Sequence, residues 1–517
     1  MSKFYEKVTY RDLEEDLKSQ KSADKWIFRL LLIAIGFIPL IVMASVTEVQ
    51  SPLISNIENL SSGVKGDLFT QYKALVLLVI TFLASLLFLA KILFMNGEIR
   101  KTKLNYAVGA CAVAIVLSTI FSPNISIALH GLYNLADGAI SWICYLALFF
   151  IAMNIDYPKK VLNYILYSLY PFVIINLIII AMNFYGNDLL QKAAVKKIVM
   201  SFLPEGANIG EGSTLVGTLN QWNYMSGMFA IMTVMFLTAA ILEKHIGRAI
   251  GHLVVAVMSI AVMLMSISTS GFLTVCVMSL VILFIAFRAE KKKQSFAMIA
   301  AFLVLSAPVF HVLASKDARV WTESIGFVVK SNPYEDEESI PTTGIKSNVE
   351  FNLMTKAYAK DKFELPVLPE RGVSAGTGRV YIWGKAFELV KERPFIGYGL
   401  DTFMYNFPHF NIDARAGIWD EKTLTDKTHS MYVGWGYGTG IIGLLIFVIL
   451  LIMSLSSSLK VALQNNNSTI WVIGVAWAAY LFQALFNDSL PGVSSVMWTL
   501  GGILIAMTFN NEKKVDN

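Results

Sequence analysis

The residues of this chain best suited to making and breaking bonds lie between Ser374 and Gly443. His429, in DKTHSMYVGWGYGTGIIG, carries an imidazole whose ordinary pKa of about 6.5 lets it take or guide a proton near neutrality. Arg379, in SAGTGRVYIWGKAFELVKERPFIGYGLDTF, stands at the first turn of an expected helix, where free backbone N–H groups point outward. An arginine at a helix N-terminus makes an anion site, and its planar fork grips phosphate oxygens better than a lysine's point charge. In the same stretch, Tyr381 and Trp383, with Trp435, read first as packing or interfacial anchors and second as sugar platforms. Upstream, Asn220 and Asn223 read equally as caps of a helix or as site-lining groups. Asn487 and Asp488 do the same at the end of a later span.

The elements that must position these residues are membrane helices. Of 517 residues, 55% are hydrophobic and 15% charged. Apolar runs near twenty residues recur along the chain, each long enough to cross a hydrocarbon core of about 30 Å. The fold class is all-α, polytopic, with about twelve transmembrane helices. They are expected near 26–46, 74–95, 104–122, 138–153, 161–184, 222–242, 249–267, 271–288, 295–314, 432–455, 469–487 and 493–509. Residues 1–25 form a charged arm without the apolar core of a cleavable signal. Cys111, Cys144 and Cys276 sit within apolar runs, without ligand-like spacing, and read as small core residues. The net charge of +5 says nothing of nucleic acid, because lysine and arginine in a membrane protein mark the loops that stay inside.

Those residues fall in alternate loops: Arg100 to Lys103, Lys159 and Lys160, Lys244 and Arg248, Arg288 to Lys293, Lys460, and the tail Lys513 and Lys514. The short opposing loops at 123–137, 268–270 and 488–492 contain none. Both termini are therefore expected in the cytoplasm, and the expected division is an inner arm (1–25), helices one to nine (26–314), an outer loop (315–431), helices ten to twelve (432–509) and an inner tail (510–517). The outer loop opens with an acidic, turn-rich insertion, SNPYEDEESIPTTGIKSN. Later, Ile382, Ala386, Phe387 and Val390 alternate with Lys385, Glu388 and Lys391 at the spacing of a short amphipathic helix. Arg393–Pro394 ends it.

The stretch GTGRVYIWGKAFELVKERPFIGYGLDTF resembles the signature of the O-antigen ligase and Wzy-type polysaccharide polymerase superfamily: an arginine, a tryptophan, then Pro–x–x–Gly–x–Gly. THSMYVGWGYGTGIIG is similar to its companion motif, a histidine, a tyrosine (here Tyr432) and a glycine-rich start of a helix. LVGTLNQWNYMSG, ALHGLYNLADGAIS and LFNDSLPGVSSVMWTLGG are weaker echoes. The resemblance implies a GT-C type glycosyltransferase of the plasma membrane. Its donor would be an oligosaccharide on polyprenyl diphosphate, its acceptor a glycan hydroxyl on the outer face. Membrane lipids surround it, and a flippase and a chain-length regulator are partners of such systems. Arg379 would meet the leaving diphosphate and His429 the acceptor proton. No metal site, other cofactor or nucleic-acid partner is expected.

The chain departs from the family pattern in two places. Arginines common in the family are replaced by Glu211–Thr214 and by Ser268-Thr269-Ser270-Gly271. Donor binding could then draw on Lys192, Lys196 and Lys197, which share a helix face, or on Arg371 or Arg415. The motifs fit a polymerase of repeat units and a ligase of finished glycan equally. A composition rich in Lys, Asn, Ile and Phe favours an AT-rich source and, on that ground, the polymerase. A flippase or transporter fits less well, because the chain lacks a six-plus-six internal repeat and few ionisable residues lie deep in its spans.

Overall fold

Backbone amides inside a bilayer have no water to bond, so apolar stretches cross as helices. The computed structural model describes residues 13–50, 62–204, 215–329, 331–335, 367–419 and 424–512. The acidic insertion from 336 onward, the Glu211–Thr214 departure and the tail lysines lie outside them. The helices are α1 (Leu13–Gly36), α2 (Gln71–Phe94), α3 (Lys103–Ile120), α4 (Ile125–His130), α5 (Ala139–Met153), α6 (Val161–Phe184), α7 (Ala193–Val199) and α8 (Trp222–Leu242). They continue as α9 (Ile246–Met265), α10 (Thr269–Arg288), α11 (Lys292–Lys316), α12 (Arg379–Glu392), α13 (Met431–Asn465), α14 (Ser468–Gln483) and α15 (Pro491–Glu512). Among the described residues, nine of these are long and apolar enough to span a membrane, and α5 and α14 are shorter apolar helices. The chain is an all-α, multi-pass membrane protein.

The first expected span is displaced. Helix α1 begins within the charged arm and stops at Gly36 instead of reaching residue 46. Gly36 lies so close to α6 that a Cβ there would sit 2.6 Å from the Ser168 carbonyl oxygen. Pro39 then enters a 3-10 turn, Ile38–Leu40, and the chain leaves as β1 (Ser45–Val49), antiparallel to β2 (Gly63–Asp67) with Ser45 opposite Asp67. The Asp67 carboxylate caps α2, accepting from the N–H groups of Thr70 at 2.8 Å and Gln71 at 3.0 Å.

Helices α8 and α15 are almost wholly enclosed, whereas α11 shows most of its surface. Large rings lock the centre: Trp435 of α13 stacks on Phe447 at 4.1 Å and meets Trp142 of α5 edge-on at 4.8 Å. Offset and edge-to-face geometries are the favoured ones, and they exclude Trp435 from service as a sugar platform. Cys111 and Cys144 are buried as small core residues, but Cys276 is on the outside of the bundle.

The two ends of the bundle differ in kind. One is fastened by ion pairs and arginine bonds: Lys91 with Asp24 at 2.6 Å, and Arg100 reaching the carbonyls of Met153 and Ile155 and the Asp156 carboxylate. The other gathers the hairpin, α4, α7, α12 and the long loops. His429 and Arg379 lie at this second end.

Candidate active site

The two motifs meet through their backbones. Helix α12 follows Gly378, whose φ of +87° suits glycine, and it buries Ile382, Ala386 and Val390 while Phe387 stays exposed. After α12, the Pro394-to-Gly399 turn lies along the first turns of α13. The Tyr398 and Gly399 N–H groups donate to the carbonyls of Tyr437 and Gly438, at 3.1 and 2.9 Å. Gly440 breaks the helix with φ 75° and ψ 178°. The following N–H, of Ile441, donates to the Pro394 carbonyl at 2.7 Å. A Cβ at Gly397 would sit 2.4 Å from the Gly438 carbonyl oxygen. The glycines of both motifs therefore make one joint, and the Tyr398 and Tyr437 rings stack over it at 5.3 Å.

That joint brings Arg379 and His429, far apart in sequence, near enough for the guanidinium charge to act on the imidazole. Trp383, one turn along α12 from Arg379, donates from Nε1 to the Thr428 carbonyl at 2.8 Å and so holds the segment leading to His429. His429 has φ +54°, a conformation that non-glycine residues adopt only under constraint. Of the seven non-glycine residues with positive φ among those described, four (Ala136, Thr377, Asp401 and His429) belong to the loops around this point.

Asp488 ties the arrangement together. Its Oδ1 accepts from Thr428 Oγ1 at 3.0 Å and from the Ser430 N–H at 3.2 Å. It thereby caps α13, whose N-terminus favours a negative charge. Its Oδ2 stands 3.9 Å from His429 Nδ1 and is buried without a hydrogen-bond partner among the described residues. An Nδ1–H would satisfy that oxygen after a shift of about 1 Å, leaving Nε2 with its lone pair. The His429 side chain is 29% exposed, so water reaches it. Burial nevertheless pushes its pKa below the usual value, against the pull of Asp488 and Asp426 and with the help of Lys427 and Arg379. The imidazole is thus neutral at neutral pH.

Arg379 donates from Nη1 to the Gly376 carbonyl and Thr377 Oγ1, at 3.3 and 3.2 Å, and from Nη2 to the Phe486 carbonyl at 3.5 Å. Its Nε is buried and unpaired among the described residues. These are long, neutral bonds for a cation that pairs best with an anion.

Below His429 lies a group of charges that the linear sequence does not bring together. Lys427 is buried, its Nζ 3.9 Å from Asp426 and 4.8 Å above the Tyr224 ring. Burial works against this ammonium, but Tyr224, Asp426 and Asp488 hold it protonated. Asp401 accepts from the Leu132 N–H at 2.6 Å and the Asp137 N–H at 3.3 Å. Asp137 accepts from Trp142, Tyr145 and Ser489. Burial pushes the Asp401 carboxyl up to about 7. It carries Asp137 well above the usual range, with Asp401 adding to the rise. A cavity of about 50 Å³, lined by Asp137, Asp401, Lys427, Thr428 and Asp488 among others, opens here. It has room for a few waters but not for a sugar ring.

The remaining expected residues divide. Asn223 joins the site: its side chain accepts from Ser268 Oγ at 2.9 Å and its carbonyl from Asn487 Nδ2 at 3.1 Å. Ser268 and Ser270, where the family carries arginine, thus belong to a serine and amide network. Arg415 sits on the short turn Ile412–Ala416, which packs against the loop before Arg379 through Ser374 N–H to the Gly417 carbonyl. Its Nε is buried and without a hydrogen-bond partner among the described residues. Tyr381 packs on Gly417 and Phe407. The Tyr432 hydroxyl binds the Leu481 carbonyl at 2.9 Å, and Asn220 binds the Asn134 carbonyl at 2.9 Å. Lys192, Lys196 and Lys197 are exposed on and beside α7, which rests on the separate cluster of Ala44, Leu190, Val199 and Leu215.

In this helical membrane protein an arginine and a histidine with a carboxylate oxygen 3.9 Å from its ring are thus held at one end by a glycine joint. Residues 254–448, which contain both motifs and the joint between them, match the family described as O-antigen ligase, and the match supports the O-antigen ligase and Wzy-type superfamily. A general function of the O-antigen ligase and polymerase type follows, with a lipid-linked glycan as substrate and a glycan as acceptor. No curated protein matches the chain.

Proposed function

We propose that the protein is a polysaccharide polymerase. It joins oligosaccharide repeat units carried on polyprenyl diphosphate, on the outer face of the plasma membrane. The observation that carries this reading is the His429–Asp488 pair beside Arg379. The acceptor hydroxyl oxygen attacks the anomeric carbon of the donor sugar, and the bond from that carbon to the diphosphate oxygen breaks. The hydroxyl proton passes to His429 Nε2, while Asp488 supports the imidazolium that forms. Arg379 meets the charge on the departing lipid diphosphate, with the N-terminus of α12 behind it. The reaction needs no metal in this scheme. Incubating purified protein with lipid-linked repeat units tests it. A ladder of lengthening products is expected, absent from His429→Gln at equal protein level. A single transfer without a ladder would replace the polymerase by a ligase, and an active Gln variant would remove His429 as the base.

A further inference from the structure

The cavity beside Lys427 is too small for sugars, yet a much larger one lies on the neighbouring stretch of the same loop. An open cavity of about 700 Å³ lies between β1, the start of α2, α4 with the turn that follows it, and Tyr405. That volume falls in the range of ligand sites. Its lining is rich in polar groups. Thr47, Gln50, Gln71, Asn124, Ser126 and Tyr405 contribute hydroxyls, amides and a ring, Glu48 a carboxylate and His130 an imidazole, and among the described residues no lysine or arginine lines it. A diphosphate or an anionic headgroup would go unmatched there, and a lipid tail would strand the polar groups. A neutral, hydroxyl-rich chain satisfies both the amides and the tyrosine faces.

The walls are fixed. Tyr405 donates to the Gln50 carbonyl at 3.1 Å and Gln71 to the Tyr133 carbonyl at 2.8 Å. The cavity also borders the site. Gly131 and Leu132 line it, and the Leu132 N–H is the group bonded to Asp401 at 2.6 Å. Tyr133, another lining residue, has its hydroxyl pushed up by burial and then by the charge of Asp426. Through Asp401, whose carboxylate also accepts from the Asp137 N–H, the cavity wall is bonded to the group of charges below His429.

We infer that this cavity is a glycan subsite, holding the sugars of the acceptor chain while its terminal hydroxyl reaches His429. The inference rests on the glycosyl-transfer reading above. Ser126→Trp and Thr47→Trp test it, each adding an indole at an exposed position on a different wall. Repeat units on polyprenyl diphosphate extracted from the source cells serve as donor. The same oligosaccharide, freed from its lipid by mild acid, serves as acceptor. Both variants in lipid nanodiscs should raise the acceptor KM about tenfold or more, with kcat and the donor KM little changed. A rise in the donor KM alone would overturn the acceptor assignment, and wild-type constants in both variants would overturn the subsite. Wild-type protein that forms no glycosidic product would instead bring down the glycosyl-transfer reading, so the two failures are distinct.

Discussion

Asp488→Asn separates charge from shape at the centre of the proposed site. The asparagine carbonyl can keep the bonds from Thr428 Oγ1 and the Ser430 N–H, now 3.0 and 3.2 Å long, so α13 keeps its cap. What changes is the atom 3.9 Å from His429 Nδ1: an amide NH₂ replaces an anionic oxygen. A donor there disfavours Nδ1–H and drives the proton to Nε2, the nitrogen that must be free to act as base. Turnover should fall by about 10²–10⁴-fold, the usual worth of general-base catalysis, while donor binding holds. Asp488→Ala is a poorer probe, since it also strips two charge-assisted bonds worth about 1.5–3 kcal/mol each. The pH profile gives a second reading. His429 works as the neutral base, so activity is present above its pKa and lost as pH falls through it. That pKa is already lowered by burial and held up in part by Asp488, so removing the carboxylate should move the acid limb to lower pH. Full turnover in Asp488→Asn with an unmoved acid limb would refute the pairing.

Arg379→Lys keeps the charge and loses the fork, so kcat/KM for the donor should drop about 10–100-fold, the cost of one or two charge-assisted bonds; normal kinetics at equal protein level would dismiss the diphosphate role. Gly397→Ala should lower both melting temperature and activity, because φ is +72° and the new methyl would fall 2.4 Å from the Gly438 carbonyl. Gly384→Ala, in open space on α12, should stabilise by about 0.5–1 kcal/mol; equal melting temperatures for the two variants would argue against the joint. Cysteine labelling of intact cells should modify Phe410→Cys and spare Lys460→Cys, both exposed positions, and the reverse pattern would invert the orientation proposed from the loop charges.

Hydropathy made most of the helices legible, because a lipid solvent leaves the backbone no alternative. The spacing of Ile382, Ala386 and Val390 revealed α12, and with it the position of Arg379 at a helix start. The first span misled because residues 37–46 are as apolar as a helix interior, while Pro39 and the close approach of Gly36 to α6 settle the matter in three dimensions. Asp401 and Asp137 were invisible as a pair: they lie 264 residues apart and only the packed loops bring the Asp137 N–H to the Asp401 carboxylate. Lys427 was readable as a charge next to His429, but not as a buried one. The lysines near α7 show the converse, a regular spacing on a helix whose apolar face rests elsewhere. The strain at His429 has no linear signal at all, since φ is imposed by what surrounds it.

The joint between the Pro394 turn and α13 has a consequence for how such a chain can change over time. It is made by main-chain N–H and carbonyl groups, which every residue but proline supplies alike. What it forbids is bulk at a handful of positions, Gly397 and Gly440 foremost. Side chains at the other positions of the joint do not make these main-chain bonds, so the bonds themselves place few demands on residue type. Two proteins built on this joint could therefore hold the same arginine and histidine in register while sharing little beyond a sparse pattern of small residues.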